Sequence, residues 1–297
     1  MGAKQSPRRA LIWGVLLARL NLVWEEPTNA EHTMRVDIHD ILDDWPYEPG
    51  QITARRIRGD DGSDKLQLRL EMGIMQMTLT GRPDGMRPLG YDSYLDYHLA
   101  QLQRFKDAGT EDGFALDEQS CQDLRNEGML FYHRYLAAFV LEDFPLVIAD
   151  ADHSLAMMDL IRNHAAEDSD KFLIEQYRPY VLAMRARATS RMLLEGGEPR
   201  AALMAVNEAM QKISDCLSQF HPDGEVPPSG ELAILQALAE EIESQVPVDP
   251  MTKLRKEIDQ ALEEERYEDA AVLRDQLKRA TGQPEGPAEP TDEAPTE

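Results

Sequence analysis

The sequence predicts a mostly α, α+β protein, and three observations carry that expectation. Apolar residues recur at helical spacing (i, i+3, i+4, i+7) through most of the chain beyond residue 114. One short region, 52–79, changes to a period of two. Aromatic residues are 6% of the chain against 42% hydrophobic overall, a balance that favours aliphatic helix packing over an all-β build. A length of 297 residues suggests two domains with small appendages. The expected segments are 1–33, a β-meander with a helix at 34–110, a helical body at 114–220, a linker and helix at 221–248, an αα-hairpin at 249–280, and an acidic tail at 281–297.

Lys4, Arg8 and Arg9 precede an apolar run, Ala10 to Trp24, in the manner of a signal peptide. Arg19 and Asn21 interrupt that run, Trp24-Glu25-Glu26-Pro27 is a poor cleavage site, and the run is too short to span a bilayer. Domain-like sequence starts at Met34, so 1–33 reads as an extension ahead of the natural start, with a signal peptide or amphipathic anchor as alternatives. No other segment is long and apolar enough for a membrane span.

Val36 to Trp45 is a short amphipathic segment ended by Pro46. Ile52, Ala54 and Ile57 open the period-two region, and Gly59-Asp60-Asp61-Gly62 makes a hairpin loop. Leu66, Leu68 and Leu70 alternate with polar residues, as do Met75, Met77 and Leu79 after Gly73. Three antiparallel strands need a cover for their apolar face. Tyr91 to Lys106, with Tyr94, Leu95, His98, Leu102 and Phe105, is the expected covering helix.

Beyond Glu111 to Gly113 the chain is helical to Phe220. Asp117 to Leu141 carries Cys121, Leu124, Met129, Tyr132, Tyr135, Leu136 and Phe139, and breaks at Glu142-Asp143-Phe144-Pro145. Leu146 to His164 follows, then Tyr177 to Leu194, a break at Gly196-Gly197-Glu198-Pro199, and Ala201 to Phe220. These two helix–turn–helix units resemble tetratricopeptide (TPR) units, giving a TPR-like helical body. Their corners, Glu142 and Gly197, lie 55 positions apart, whereas a strict array repeats about every 34 residues. A generic helical bundle is the alternative. His221 to Gly230 is a Pro/Gly-rich linker, and Glu231 to Val246 forms another helix.

The last helical stretch has the densest pattern. Asp249 and Pro250 suit a helix start. Leu254, Ile258, Ala261 and Leu262 form one apolar stripe, the pattern breaks at Arg266-Tyr267, and Ala270, Ala271, Leu273 and Leu277 resume it. Glu268 and Asp269 in the first turn, and Lys278 and Arg279 in the last, match the dipole of the second helix. The run Glu265-Arg266-Tyr267-Glu268-Asp269-Ala270-Ala271-Val272-Leu273-Arg274-Asp275 resembles the UVR (UvrB/UvrC) motif. That resemblance implies a protein-interaction hairpin, of the kind that couples UvrB to UvrC and occurs in Clp-type ATPases and in activators of protein-arginine kinases. Asp40 to Asp96 is similar to the N-terminal part of some bacterial UVR-motif proteins. The kinase activators carry CxxC zinc sites before the motif, and this chain has none. The tail after Ala280 is rich in Pro, Gly and acids and reads as disordered.

Composition narrows the function further. A net charge of −24 and a pI near 4.6 leave no basic excess for counterion release, so no direct nucleic-acid partner is expected. Cys121 and Cys216 stand alone, without metal spacing, which fits a reducing cytoplasm and no disulfide scaffold. The best titratable cluster is Asp150-Ala151-Asp152-His153 with His133 and His164, yet it has no HExxH spacing and reads as surface or capped core histidine. Asp37, His39, Asp40, Asp43 and Asp44 read as the polar face of a short helix, and Arg55, Arg56 and Arg58 as a solvated strand edge. No P-loop, GxGxxG or GxSxG is present.

The expectation is therefore a non-enzymatic cytoplasmic adaptor with no catalytic residues, metal or cofactor. Its partner-binding candidates are Leu254, Ile258, Leu262, Tyr267, Glu268, Ala270, Ala271, Leu273, Arg274, Asp275 and Leu277. The partner would be a UvrB/UvrC-like protein, a Clp-type ATPase or a second copy of the chain. A nucleotide-excision-repair accessory, or an enzyme with an unrecognised site, are the alternatives.

Overall fold

The computed structural model describes residues 37–220, 229–246 and 250–281. The expectations for 1–33, for the tail beyond Thr281 and for most of the Pro/Gly-rich linker lie outside the described residues. The chain divides after Pro46 into two compact units. Among the described residues of the first, α1 (His39–Asp43) is a short helix with no buried residue, its ends linked by His39 Nε2 and Asp43 Oδ2 at 3.0 Å.

The second unit begins with β1 (Ala54–Arg58), β2 (Asp64–Leu70) and β3 (Gly73–Thr78), antiparallel in that order, which is the expected meander. Register sets Leu66 opposite Met77 and Leu68 opposite Met75, so one face is apolar. The helices follow as α2 (Tyr94–Asp107), α3 (Glu118–Val140), α4 (Phe144–His164), α5 (Asp168–Glu175), α6 (Arg178–Glu195), α7 (Pro199–Phe220), α8 (Gly230–Glu243), α9 (Pro250–Glu263) and α10 (Tyr267–Thr281). Ser93 and Asp117 cap α2 and α3 by accepting from Asp96 N and Ser120 N.

Three cores run through the body. Leu66, Leu68 and Met77 of the sheet pack with Tyr135 and Ala138 of α3, Phe144 and Val147 of α4, and Met184 and Ala188 of α6. The cover of the sheet is thus α3 with α4 and α6, not the helix expected at 91–106. That helix, α2, turns Leu95 and Leu102 to a different core with Leu124, Met157, Met158 and Ile161. The physical reason lies in α3. At 23 residues it is long enough to present Cys121 and Leu124 to α2 at one end and Tyr135 and Ala138 to the sheet at the other. The third core joins Ala183 and Ala186 of α6 to Val206 and Ile213 of α7 and Leu235 and Ile242 of α8. Met129, counted on the apolar stripe of α3, is 41% exposed instead.

α5 is absent from the sequence expectation, and its segment occupies part of the interval between the corners at Glu142 and Gly197. Those corners share one geometry. Glu142 has φ 58°, and Asp143 N donates to Ala138 O at 2.9 Å while Glu142 N donates to Phe139 O at 3.2 Å. Gly197 has φ 75°, with Glu198 N donating to Leu193 O at 2.9 Å and Gly197 N to Leu194 O at 3.0 Å. Both are Schellman turns, whose left-handed residue is usually glycine. A glutamate there is strained by about 1 kcal/mol. Glu142→Gly is therefore expected to stabilise the body by up to about 1 kcal/mol, raising Tm by roughly 2–4 °C. Differential scanning calorimetry checks this, and an unchanged or lower Tm would mean that the Glu142 side chain offsets its own strain.

Candidate functional site: the C-terminal helical hairpin

α9 and α10 meet at a third corner of the same kind. Glu265 has φ 58°, Arg266 N donates to Ala261 O at 2.8 Å, and Glu265 N donates to Leu262 O at 3.1 Å. Arg266 then clamps the turn, with Nε to Glu264 Oε2 and Nη1 to Asp269 Oδ2, both at 2.8 Å. These exposed carboxylates keep the Arg266 guanidinium above its ordinary pKa, through the hydrogen bond it donates to Asp269 first and the one it donates to Glu264 second. The short, tightly bonded turn forces α10 back along α9. Among the described elements, the extensive packing of each of these helices is against the other.

Small residues let the two backbones close. Ala261 is fully buried, Ala270 is 2% exposed and Ile258 7%. Leu254, Leu262, Leu273 and Leu277 are half-buried along the helices. Of the expected partner-binding residues, Ile258 and Ala270 thus lie inside the hairpin's own seam, where they hold the helices together. Tyr267 is 66% exposed, and Glu268, Ala271, Arg274 and Asp275 are exposed as well. Tyr267, Ala271 and Arg274 fall at i, i+4 and i+7, one solvent-facing stripe of α10. Val272, 58% exposed and outside the expected set, lies about 100° round the helix from Ala271, on another exposed side of α10. Its signal in the sequence was an apolar residue out of step with Ala270, Leu273 and Leu277.

Among the described residues, the titratable side chains of the expected cluster make pairwise contacts within the fold. Asp150 forms a two-point ion pair with Arg134, with Nε–Oδ2 at 2.8 Å and Nη2–Oδ1 at 2.6 Å. Arg134 Nη1 also donates to Thr78 O at 3.0 Å and Gly81 O at 2.7 Å, which ties the end of the meander to α3 and α4. Asp152 pairs with Arg185. His153 Nε2 lies 3.2 Å from Glu127 Oε1, and its ring stacks on Phe131 at 3.7 Å. Glu127, fully buried, accepts from Tyr94 N at 2.7 Å and Leu95 N at 3.1 Å at the start of α2. His133 Nδ1 is bound at Met129 O, and burial lowers its pKa. Neither Glu127 nor Arg134 was singled out in the sequence, yet both interrupt the stripe of Leu124, Phe131 and Ala138 on α3. Among the described residues no three His, Cys, Asp or Glu side chains gather as a metal would need. Arg56 pairs with Asp143, Arg58 with Asp64, and Arg55 Nε donates to Gln67 Oε1, so these arginines serve the fold.

Residues 250–280, the two helices of this hairpin, match the family model described as the UvrB/uvrC motif. No curated protein and no solved structure matches the chain. The motif occurs in protein-interaction and repair-related proteins, and so points to protein–protein interaction in general terms. No helix among the described residues is long and apolar enough to cross a membrane.

Proposed function

We propose that this protein is a non-enzymatic adaptor that docks a partner protein through the α9–α10 hairpin. The observation that carries this reading is the hairpin's poverty of core. Among the described residues of this hairpin of about thirty, only Ile258, Ala261 and Ala270 are buried, whereas Tyr267 and Val272 stay in solvent. Units below about 40 residues generally need a staple, a metal or an associate to stay folded. A partner groove that wraps α10 from Tyr267 and Ala271 round to Val272 would supply the missing apolar contact, in the manner of helix-in-groove recognition. Arg274 and Asp275, exposed on the same helix, would orient that partner through polar contacts.

The specific reading is a cytoplasmic adaptor for a Clp-type ATPase or for a second copy of the chain. The second reading is an accessory of nucleotide-excision repair that binds UvrB or UvrC, and the match to their shared motif favours it. Calorimetric titration of the purified full chain against UvrB, UvrC and a Clp-type ATPase separates the two. Saturable binding to the ATPase supports the first, and saturable binding to UvrB or UvrC supports the second. No saturation with any of them, together with a monomeric sedimentation profile, would defeat both. DNA should bind no tighter than the non-specific range of about 10⁻⁴ to 10⁻⁶ M at physiological salt, and a submicromolar, salt-sensitive gel shift would contradict the adaptor reading.

A further inference from the structure

A groove of about 600 Å³ opens between the end of α3, the start of α4, α6 and α8. Phe139, Phe144, Leu194 and Leu238 form apolar walls, and Ile234, 52% exposed, stands at its edge. Arg187 and Arg191, one turn apart on α6, project into it.

Arg187 is placed unlike Arg134, Arg178 and Arg185 of the same body. Its guanidinium is half-buried, lies 4.4 Å from the centroid of Phe139, and donates from Nη1 to Met184 Sδ at 3.4 Å, a weak acceptor. No carboxylate among the described residues lies within ion-pair distance of Arg187 or Arg191, in a chain with 55 acidic and 31 basic residues. By contrast Arg134, Arg178 and Arg185 each have an aspartate or glutamate. Burial lowers the Arg187 pKa, Tyr180 opposes that shift in part, and Arg191 pushes the same way as burial. Desolvating a cation beside aromatic and aliphatic walls without a counter-ion is costly, and an incoming carboxylate removes that cost. Glu142, Glu195 and Glu241 also line the groove, but all three are exposed at its rim. They disfavour an occupant with several acids.

We propose that this groove docks a partner peptide of defined chemistry, a short segment carrying one carboxylate between large apolar side chains. The carboxylate meets Arg187, with Arg191 behind it, and the apolar neighbours lie on Leu238, Ile234 and Phe139. The chain's own residues 282–297 fit poorly, since they carry five acids and no apolar side chain larger than proline. The site is separate from the hairpin and does not depend on its role.

The test uses the full chain and a dye-labelled hexapeptide with one aspartate between two leucines in a serine background, read by fluorescence anisotropy. Saturable binding is expected, weakened at least ten-fold by Arg187→Gln, by Ile234→Asp, and by asparagine in place of the probe's aspartate. Ile234→Asp sits at an exposed position and keeps the test decisive if Arg187→Gln disturbs the fold, which circular dichroism monitors. No saturation, equal binding of a lysine-substituted probe, unchanged binding to the Ile234→Asp chain, or displacement by a synthetic peptide of residues 282–297 would each overturn the proposal.

Discussion

Arg134→Met is expected to destabilise the body by about 3–5 kcal/mol, the usual cost of removing one partner of a buried ion pair. Arg134 is 3% exposed and Asp150 2%, so water cannot take over the lost interactions. The substitution strands the carboxylate and leaves Thr78 O and Gly81 O without the Nη1 donor. Single domains are stable by only about 5–15 kcal/mol, so the loss is a large share of the total. Urea unfolding reads it directly. The double variant Arg134→Met/Asp150→Leu should recover most of the loss but not all, because the two carbonyls still lack their donor. A pH series gives an independent check. Burial raises the Asp150 pKa, and the hydrogen bonds and charge of Arg134 oppose that rise. Without Arg134 the folded pKa climbs further above the unfolded value. A raised carboxyl favours the folded state below the unfolded pKa and loses that advantage as pH rises through the folded pKa. The variant should therefore approach wild type as pH falls from neutral. A pH-independent gap, or a small one at pH 7, would contradict the role given to this pair.

Ala261→Asp is expected to open the hairpin while leaving the body intact. Ala261 is fully buried and sits one turn before Glu265, where its carbonyl also takes the bond from Arg266 N. A carboxylate there is buried without a partner, at a cost of several kcal/mol. A core this small supplies no more than about 3–5 kcal/mol. Circular dichroism should lose the helical signal of α9 and α10, and trypsin should cut early at Lys253, Arg255, Lys256, Arg274 or Lys278. The main unfolding transition should stay in place. If instead the whole protein melts earlier, the hairpin is part of the body's core.

The elements that periodicity reveals were legible before the structure. The meander, the corners at Glu142 and Gly197, and both helices of the hairpin announce themselves through repeating side chains and turn residues. Pairing between elements was not. Leu95 and Leu102 mark a buried face on α2, but nothing in their spacing says whether a sheet or a helix covers it. α5 leaves no clear mark in the sequence because eight residues are too few for a stripe, and Phe172 and Leu173 stay 60% and 46% exposed. Charge on a helix usually means solvent, so only their place among Leu124, Phe131 and Ala138 marks Glu127 and Arg134 as buried. In the hairpin, spacing found the apolar residues but could not divide them. Ile258 and Ala270 close the seam, and Tyr267 with Val272 face outward.

That division supplies the most direct test of the docking claim. The full chain and two variants, Tyr267→Ala and Val272→Asp, are immobilised and exposed to a lysate of the source cells. Retained proteins are quantified for each, with Arg274→Ala as a third comparison. Both apolar positions are exposed, so the variants should keep wild-type helicity and melting temperature. The account predicts that at least one protein retained by wild type falls ten-fold or more with Tyr267→Ala and Val272→Asp, consistent with truncation of an interface anchor worth about 2 kcal/mol, and weakens with Arg274→Ala. The same proteins retained in the same amounts by all of the folded variants would contradict it.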